Sequence, residues 1–262
     1  MLRLHQPHDD LAEIRVLQRL SNGIVNWTKL VSLGSHDAAA FRVIRRVRHD
    51  NLTYLDAGSL VDLYSSVKMV EKRGQPGVLI EAGCALGGSA VVMAAAKRAD
   101  RQLYVYDTFA VIPPPSANDG DAAHARYAQI STGQADGIGG HTYYGYEADL
   151  LGQVTATFQR YGLAPQANSV QLIKGLFQTT LTGTEPVCLA HIDCDWYDSV
   201  ETCLHNIVPR LVSGGELVID DYDHWAGCRK AVDIYFAGLQ DEFEWQFKSR
   251  LHITRKSVRS LP

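Results

Sequence analysis

The chain has 262 residues, of which 46% are hydrophobic and 21% are charged, as expected for a globular protein with a substantial core. Its formal net charge of −4 provides no basic field, so we do not expect a nucleic-acid partner. The amino terminus lacks the apolar core of a signal peptide and no run is long enough to span a bilayer, so we expect no membrane partner and a cytoplasmic location. The 5 cysteines form no CxxC pair, which favours reduced thiols over disulfides or zinc ligands.

The amino-terminal part of the chain is predicted to be helical. Apolar residues recur at helical spacing at Leu11, Ile14, Leu17 and Leu20. The sequence Ser21-Asn-Gly23 interrupts that pattern, and further helices are expected over residues 38–47 and 57–73. We interpret residues 1–50 as a helical extension and residues 51–262 as the main domain.

From residue 78 onward, strands and helices alternate. Strands are predicted at residues 78–83, 102–107, 170–175, 187–194, 216–221, 243–248 and 252–255. Helices are predicted at residues 87–99, 149–161, 199–211 and 227–239. This alternation indicates an α/β fold with a doubly wound, mostly parallel seven-stranded sheet that helices cover on both faces. The last two strands have no helix between them and are expected to form an antiparallel edge pair, which favours the methyltransferase version of the Rossmann-like sheet over the plain dinucleotide-binding version.

Residues 108–147 differ in composition from the elements around them. They include Pro113-Pro-Pro115 and are rich in Gly, Ala, Asp and Tyr. Because this segment leaves the sheet at its carboxyl edge, where ligands bind in such folds, we predict that it is a lid. Its His141 is the catalytic candidate among the histidines, with an exposed loop histidine that has no role as the alternative. His191, inside a predicted strand, is expected to be structural.

A glycine-rich loop, residues 81–89, joins the first predicted strand to its helix. Gly83 and Gly87 allow a tight turn and a close approach of a ligand, and the helix that follows presents free N–H groups. Glu81 stands just before the first glycine, as in S-adenosylmethionine sites, where such an acid meets the amino-acid end of the cofactor. Asp107 closes the second strand, where it can accept hydrogen bonds from both ribose hydroxyls. A loose match of the glycines to a dinucleotide fingerprint leaves an NAD site as the alternative.

Two apolar runs end abruptly in carboxylates, one at Asp193 and the next at Asp220 and Asp221. If these runs form adjacent parallel strands, the carboxylates meet at one edge of the sheet. They would repel one another unless a cation or a shared proton intervenes, and hard divalent cations such as Mg²⁺ prefer oxygen ligands. A metal ion there could hold two vicinal hydroxyls of a substrate and lower the pKa of one of them. Asp195 would then lie beside the metal as a general base, whereas helix capping is the alternative role for acids in this region.

Several stretches together resemble the macrocin O-methyltransferase (TylF-like) family, in the same order over about residues 50–240. The matching stretches are Thr53-Tyr54, Gly77-Val-Leu-Ile-Glu-Ala-Gly83, Gly87-Gly-Ser89, Tyr106-Asp-Thr-Phe-Ala-Val-Ile-Pro113, His191-Ile-Asp-Cys-Asp-Trp-Tyr-Asp-Ser199, Gly214-Gly-Glu-Leu-Val-Ile-Asp-Asp-Tyr222 and Gly227-Cys-Arg-Lys-Ala-Val232. The strand-end acids also look like those of catechol-type metal-dependent O-methyltransferases.

The resemblance implies a class I methyltransferase that uses S-adenosylmethionine and Mg²⁺ or another divalent cation. It also implies a small-molecule acceptor, a sugar or related hydroxyl of a natural product, and it suggests a homodimer. By position, the metal ligands are Asp193, Asp220 and Asp221, and Asp195 is the proposed base. The cofactor positions are Thr53, Glu81, Gly83, Gly87, Ser89 and Asp107. The chain departs from the family's Asp-Ser-Phe-x-Gly-Leu-Pro pattern at residues 107–113, which leaves the identity of the acceptor open.

We therefore predict an S-adenosylmethionine- and Mg²⁺-dependent O-methyltransferase. An NAD-dependent oxidoreductase of Rossmann type is one alternative, because the glycine-rich loop and Asp107 suit NAD as well. A non-catalytic binding protein on the same fold is the other alternative, although the complete set of acids argues against it.

Overall fold

A computed structural model describes residue 23 and residues 25–257 of the chain. The predicted helix around Leu11–Leu20 lies outside the described residues. Residues 25–36 form helix α1, and helices α2 (Ala38–His49) and α3 (Ala57–Lys72) follow close to their predicted bounds. Both of the latter begin at an aspartate cap, because Asp37 and Asp56 accept backbone N–H groups of the first turn.

Each strand of the sheet overlaps the range predicted for it from the sequence. They are β1 (Val78–Ala82), β2 (Leu103–Asp107), β3 (Val170–Lys174), β4 (Val187–Ile192), β5 (Leu211–Ile219), β6 (Phe243–Phe247) and β7 (Leu251–Arg255). Their spatial order is β3-β2-β1-β4-β5-β7-β6, with antiparallel pairing only where β7 meets β5 and β6. This arrangement confirms the predicted doubly wound, mostly parallel sheet with antiparallel closing strands.

The register of the sheet fixes where its carboxyl edge lies. Ala82 of β1 pairs with Ile192 of β4, and Ile192 pairs with Ile219 of β5, so these three strands end level with one another. The residue that follows each of these strands therefore lies at the same edge of the sheet. Gly83 follows β1 there, and Asp193 follows β4.

The remaining helices lie between and after the strands. They are α4 (Gly88–Ala96), α5 (Asp121–Ser131), α6 (Leu150–Arg160), α7 (Phe177–Thr180), α8 (Tyr197–Ile207) and α9 (Ala226–Tyr235). Helix α5 lies inside the 108–147 segment, where no helix was predicted, because only Ala123 and Ile130 of its residues are buried and no apolar stripe marks it. Strand β5 begins at Leu211, within the helix predicted to end there, because Pro209 belongs to a short 3-10 turn that separates α8 from the strand.

Two apolar clusters cover the faces of the sheet. Leu189 of β4 packs into the cluster that includes residues of α2, α3 and α4, whereas Ala190 and Ile192 pack into the cluster that includes residues of α8 and α9. This alternation is the pleat of a strand buried on both faces. Helix α2 shares its core with the sheet through Ile44. Among the described residues, no helix is long and apolar enough to cross a membrane.

Candidate active site

The carboxylates that follow β4 and β5 come together at the edge of the sheet. Asp193 continues the ladder by donating its N–H to the Ala82 carbonyl at 2.9 Å, and Asp220 donates to the Ile192 carbonyl at 3.0 Å. One carboxylate oxygen from each of Asp193, Asp220 and Asp221 lies within 4.8 Å of the other two. We call these three residues the acidic cluster. The three carboxylates therefore come together as the sequence predicted.

The acidic cluster is dense in negative charge, with Asp220 and Asp221 buried and Asp193 half-buried. Burial raises the pKa of Asp193 well above its ordinary value, and the Asp220 and Asp195 carboxylates raise it further. Burial likewise raises the pKa of Asp221, and the negative charges of Asp195 and Asp193 raise it further. Such a set of hard oxygen donors suits a divalent cation of the Mg²⁺ type, which neutralises carboxylates that would otherwise repel one another.

Asp195 lies beside the acidic cluster in a strained conformation. Its φ of +59° is in the left-handed region, which costs backbone free energy for residues other than glycine, although aspartate adopts it more often than most. The Asp195 N–H donates to Asp221 Oδ2 at 3.1 Å, and the Trp225 indole N–H donates to Asp195 Oδ1 at 2.7 Å. Burial raises the pKa of Asp195 to about 6, although the Trp225 hydrogen bond acts in the opposite direction. The geometry therefore holds a single carboxylate in a fixed position next to the cluster.

The glycine-rich loop contacts the backbone of Asp193, one residue of the acidic cluster. Gly83 has a φ of +88°, and a Cβ atom on it would stand 1.8 Å from the backbone oxygen of Asp193. Only glycine fits here, since the loops after β1 and β4 touch through their backbones. Asp107 lies on the other side of the loop, where its two carboxylate oxygens accept the Cys84 N–H at 2.8 Å and the Phe109 N–H at 2.7 Å. These bonds hold the Asp107 carboxylate in a fixed place at the end of β2.

The predicted cofactor residues divide into two groups. Thr53, Gly83 and Asp107 line the large cavity described below. Glu81 and Ser89 are buried behind the loop, where the Ser89 hydroxyl donates to the Glu81 carboxylate and does not face the cavity. Gly87, with a φ of +86°, begins helix α4 behind the same wall. The second group therefore shapes and supports the loop.

A cavity of about 680 Å³ opens over the acidic cluster and the glycine-rich loop. Its volume is in the range of small-molecule and cofactor sites. The cavity is also lined by residues of the 108–147 segment and by Thr53 and Tyr54, which precede α3, and part of this lining is aromatic and cationic. The aromatic and cationic residues that line the cavity are Tyr54, Arg126, Tyr143, Tyr144, Phe177, Trp196, Trp225 and Arg250. A shallower groove of about 500 Å³ shares His224 and Trp225 with this cavity.

The 108–147 segment is attached to helix α8 beside the acidic cluster. The Trp196 indole N–H donates to the Pro113 carbonyl at 2.9 Å. Asp119 accepts the Tyr197 N–H at 2.8 Å with one carboxylate oxygen and the Ser116 N–H at 2.9 Å with the other. Asp119 thus caps the first turn of α8 from a distant part of the chain. These contacts place the segment over the cavity.

The structure does not bring His141 to the acidic cluster. Its side chain is exposed, it does not line the cavity, and its Nε2 lies 3.4 Å from the Asn51 amide nitrogen. In this arrangement Asp195 is the candidate base beside the cluster, and His141 would need a movement of its segment to approach it. His191 is fully buried with Nδ1 at 3.0 Å from the Glu81 carboxylate, as expected for a structural histidine.

The sequence did not indicate the charged residue that contacts the acidic cluster. Arg250, in the hairpin between β6 and β7, donates from Nε to Asp220 Oδ1 at 2.6 Å. A single arginine in a hairpin carries no motif, so no pattern in the chain marked it. Arg126 was missed for the same reason, since it lies on the unpredicted helix α5.

The chain was compared with known proteins. The family model described as macrocin-O-methyltransferase (TylF) matches residues 49–240. A relative from Streptomyces olivaceus, 8-demethyl-8-(2,3-dimethoxy-alpha-L-rhamnosyl)-tetracenomycin-C 4'-O-methyltransferase, is 34% identical over 204 residues, which cover 76% of this chain and 68% of the relative. Demethyldecarbamoylnovobiocin O-methyltransferase of Streptomyces niveus is 29% identical over 192 residues, which cover 71% of this chain and 68% of the relative.

Solved structures share the fold. The O-methyltransferase NovP superposes with a TM-score of 0.65 and 23% identity, and the match covers 79% of this chain and 83% of NovP. The calicheamicin methyltransferase CalS11 gives a TM-score of 0.59 and 16% identity over 90% of this chain and 93% of its own. At these identities, the likeness speaks for the fold alone.

The sheet order and the antiparallel closing strands define a class I, Rossmann-like methyltransferase fold. Within that class, the chain belongs to the macrocin O-methyltransferase (TylF) family, and it is an S-adenosylmethionine-dependent O-methyltransferase. Family membership decides against the NAD-dependent oxidoreductase and the non-catalytic binding protein.

Proposed function

We propose that this enzyme moves the methyl group of S-adenosylmethionine to a hydroxyl of a sugar, or of another vicinal diol or polyol, on a small-molecule natural product. Mg²⁺ or another divalent cation would be held by Asp193, Asp220 and Asp221. The observation that carries the proposal is the convergence of these three carboxylates, with oxygens within 4.8 Å of one another, in the wall of a cavity that Asp107 also lines. The related enzymes named above, a rhamnosyl-tetracenomycin 4'-O-methyltransferase among them, support a natural-product acceptor.

Two ligands supply chemistry that the chain itself lacks. When bound, a divalent cation supplies Lewis acidity, which lowers the pKa of an acceptor hydroxyl. S-adenosylmethionine supplies the electrophilic methyl group. The side chains bind and orient both ligands and accept a proton, and placing the acceptor oxygen in line with the methyl group accounts for much of the rate gain.

Asp195 is proposed to accept the proton of the acceptor hydroxyl. It is the carboxylate next to the acidic cluster, and the Trp225 indole N–H at 2.7 Å fixes its orientation. Because Trp225 occupies Oδ1, we expect Oδ2 to receive the proton. The Asp195 N–H donates to the Asp221 carboxylate, and this bond stabilises the left-handed backbone conformation of Asp195. The position of Asp195 therefore depends on that of the acidic cluster.

The cofactor is proposed to lie between the glycine-rich loop and the end of β2. Asp107 would accept hydrogen bonds from the ribose hydroxyls, since both of its oxygens keep lone pairs free beyond their backbone bonds. Thr53 and Gly83 line the same part of the cavity. Glu81 and Ser89 would act by holding the loop in shape from behind, and Gly87 by starting helix α4 there.

The 108–147 segment is proposed to be a lid over cofactor and acceptor. Its residues form the wall that faces the acidic cluster, with Arg126 and Tyr143 in contact through a guanidinium 5.9 Å from the ring centre. Closing such a wall excludes water and fixes the acceptor. The segment is also where the chain departs from its family pattern, so we expect it to determine which acceptor fits.

Residues 51–262 are proposed to be the methyltransferase domain, with residues 1–50 as its helical extension. The described part of that extension shares one apolar core with the sheet, through Leu33 and Ile44. A homodimer and a cytoplasmic location remain predictions from the sequence and its family resemblance.

Methyl transfer with and without metal tests the proposal. The enzyme is incubated with S-adenosylmethionine, Mg²⁺ and a panel of glycosides and catechols, and mass spectrometry detects an acceptor that has gained one methyl group. We expect activity that EDTA abolishes and added Mg²⁺ restores. The Asp193→Ala variant should lose at least about a hundredfold in kcat/KM, because it removes a ligand of the cation.

The matched control is Asp198→Ala, since Asp198 also lines the cavity but is not in the acidic cluster. It should retain metal-dependent activity. Methyl transfer that survives EDTA and is unchanged in Asp193→Ala would contradict the metal mechanism and leave the methyltransferase assignment intact.

A further inference from the structure

Arg250 brings a positive charge into the acidic cluster. Its Nε donates to Asp220 Oδ1 at 2.6 Å, and the two side chains are only 16% and 8% exposed. Its NH1 donates to the neighbouring Ser249 carbonyl at 2.9 Å, which holds the guanidinium in place. One oxygen of a candidate metal ligand is therefore already occupied by a cation that belongs to the chain.

The hairpin that carries Arg250 is itself anchored. The Ser249 N–H donates to Asp62 of helix α3 at 3.0 Å, and the Lys29 ammonium bonds both the Ser249 hydroxyl at 2.9 Å and Asp62 at 2.7 Å. Strand β7 then starts at Leu251 and pairs with β5 beside Ile219. The fold therefore holds the backbone of Arg250 next to Asp220, through the bonds of the hairpin to α3 and to β5.

Several carboxylates share the charge of Arg250. An arginine guanidinium stays protonated across the working pH range of proteins, and Arg250 is paired directly with Asp220. The guanidinium therefore stays charged in a site that is otherwise acidic. Removing it would leave buried carboxylates without their nearest positive neighbour.

We propose that Arg250 is the built-in counter-ion of the acidic cluster and that it weakens the binding of the divalent cation by competing for Asp220. This proposal rests on the metal-dependent function proposed above. A cation that uses Asp220 must share or displace the guanidinium, and the two positive charges repel each other in a poorly solvated site. Without a cation, the same guanidinium stabilises the folded chain by offsetting the repulsion among the acids.

Two effects of opposite sign follow from this role. Replacing Arg250 by a neutral side chain should tighten cation binding, because the competitor is gone. The same replacement should destabilise the metal-free protein, because the carboxylates lose their partner. A merely structural arginine would destabilise the protein with and without metal and would not tighten metal binding.

Calorimetric titration of purified protein with Mg²⁺ and with Mn²⁺ tests the proposal, alongside thermal unfolding with and without each ion. We compare wild type with Arg250→Gln and Arg250→Lys. The expected result is a Kd about tenfold lower in Arg250→Gln. Its melting temperature should be lower without metal, with a larger rise on adding metal than in wild type. Arg250→Lys, which keeps the charge, should stay close to wild type.

Arg255→Gln is the matched control. It removes an arginine from the same hairpin whose NH1 bonds the Leu211 carbonyl at 2.7 Å and which makes no ion pair with the acidic cluster. Its Kd for the ions should match wild type. If wild type binds ions and Arg250→Gln binds them equally or more weakly, the counter-ion role is overturned while the metal site stands. If no variant binds either ion, the metal-dependent function itself fails.

Discussion

Asp195 offers the sharpest prediction at the scale of a single residue. The Asp195→Asn variant keeps the shape of the side chain and can still accept the Trp225 indole N–H, which lies 2.7 Å away in the wild type. It cannot take a proton from the acceptor. We therefore expect kcat to fall by about 10²- to 10⁴-fold, with much smaller changes in KM and in the Kd for Mg²⁺. Steady-state kinetics and calorimetric titration measure these quantities.

Asn51→Ala serves as the comparison for this substitution, because Asn51 neighbours His141 rather than the acidic cluster. It should leave kcat near the wild-type value if the segment that carries His141 does not move to the cluster. Should Asp195→Asn keep its kcat while His141→Ala loses it, the base would be His141, and Asp195 would only position the metal ligands.

The sequence allowed the acidic cluster to be predicted because its geometry follows from a simple rule. Neighbouring parallel strands present their carboxyl ends at the same edge of a sheet, so Asp193 and Asp220 were expected to meet once their apolar runs were identified as neighbouring strands. No comparable rule led to Arg250. Its partner is 30 positions away in sequence, and the contact exists only because the closing hairpin turns back beside β5.

At the scale of an element, the 108–147 segment and helix α8 depend on one aspartate. The Asp119→Ala variant removes the acceptor of the Tyr197 and Ser116 N–H groups. It should cost about 1 kcal/mol of stability, as the loss of a helix cap does. It should also raise the KM for the acceptor several-fold more than the KM for S-adenosylmethionine, since the segment would no longer be held over the cavity.

Limited proteolysis together with the two KM values checks this expectation. Cleavage within residues 108–147 should become faster in Asp119→Ala. Asp121→Ala is the comparison, because Asp121 is an exposed acid of the same segment. If Asp119→Ala and Asp121→Ala behaved alike in both measurements, the attachment of the segment through Asp119 would have no role in acceptor binding.

Elements with long apolar patterns could be predicted, and elements without them could not. Strand β4 is buried along its whole length, and its run of apolar residues marked it clearly. Helix α5 buries only Ala123 and Ile130, so its sequence has no apolar stripe that would identify it as a helix. A small local core including Ile130 and Tyr143 forms within that part of the chain, from apolar residues that follow no helical or strand period in the sequence.

At the scale of the whole molecule, the two faces of the sheet are fixed by different means. The face toward α8 and α9 is covered by a continuous apolar cluster. The face toward α3 also contains a polar connection, in which Glu216 of β5 accepts the Ser66 hydroxyl of α3 at 3.1 Å and lies 2.5 Å from His252 Nδ1 of β7. Lys248 of the hairpin approaches the same carboxylate at 3.4 Å. Glu216 therefore connects a helix, two strands and the hairpin that delivers Arg250.

This connection predicts how the stability of the protein depends on pH. Burial alone would raise the pKa of Glu216, but the bonds from His252 and the charges of His252 and Lys248 outweigh it, so the pKa is lowered in the folded state. A carboxyl whose folded pKa is depressed contributes stability above its unfolded pKa and loses it as the pH falls through the folded value. Near neutral pH, Glu216→Gln should therefore be less stable than wild type by about 1–3 kcal/mol. Between about pH 5 and pH 3, its melting temperature should fall less steeply than that of wild type.

Thermal unfolding across that range measures both effects, with Glu244→Gln on the exposed side of β6 as the comparison. Parallel curves for Glu216→Gln and wild type would show that the pKa of Glu216 is the same in the folded and unfolded states, and the polar connection would then contribute no acid-sensitive stability.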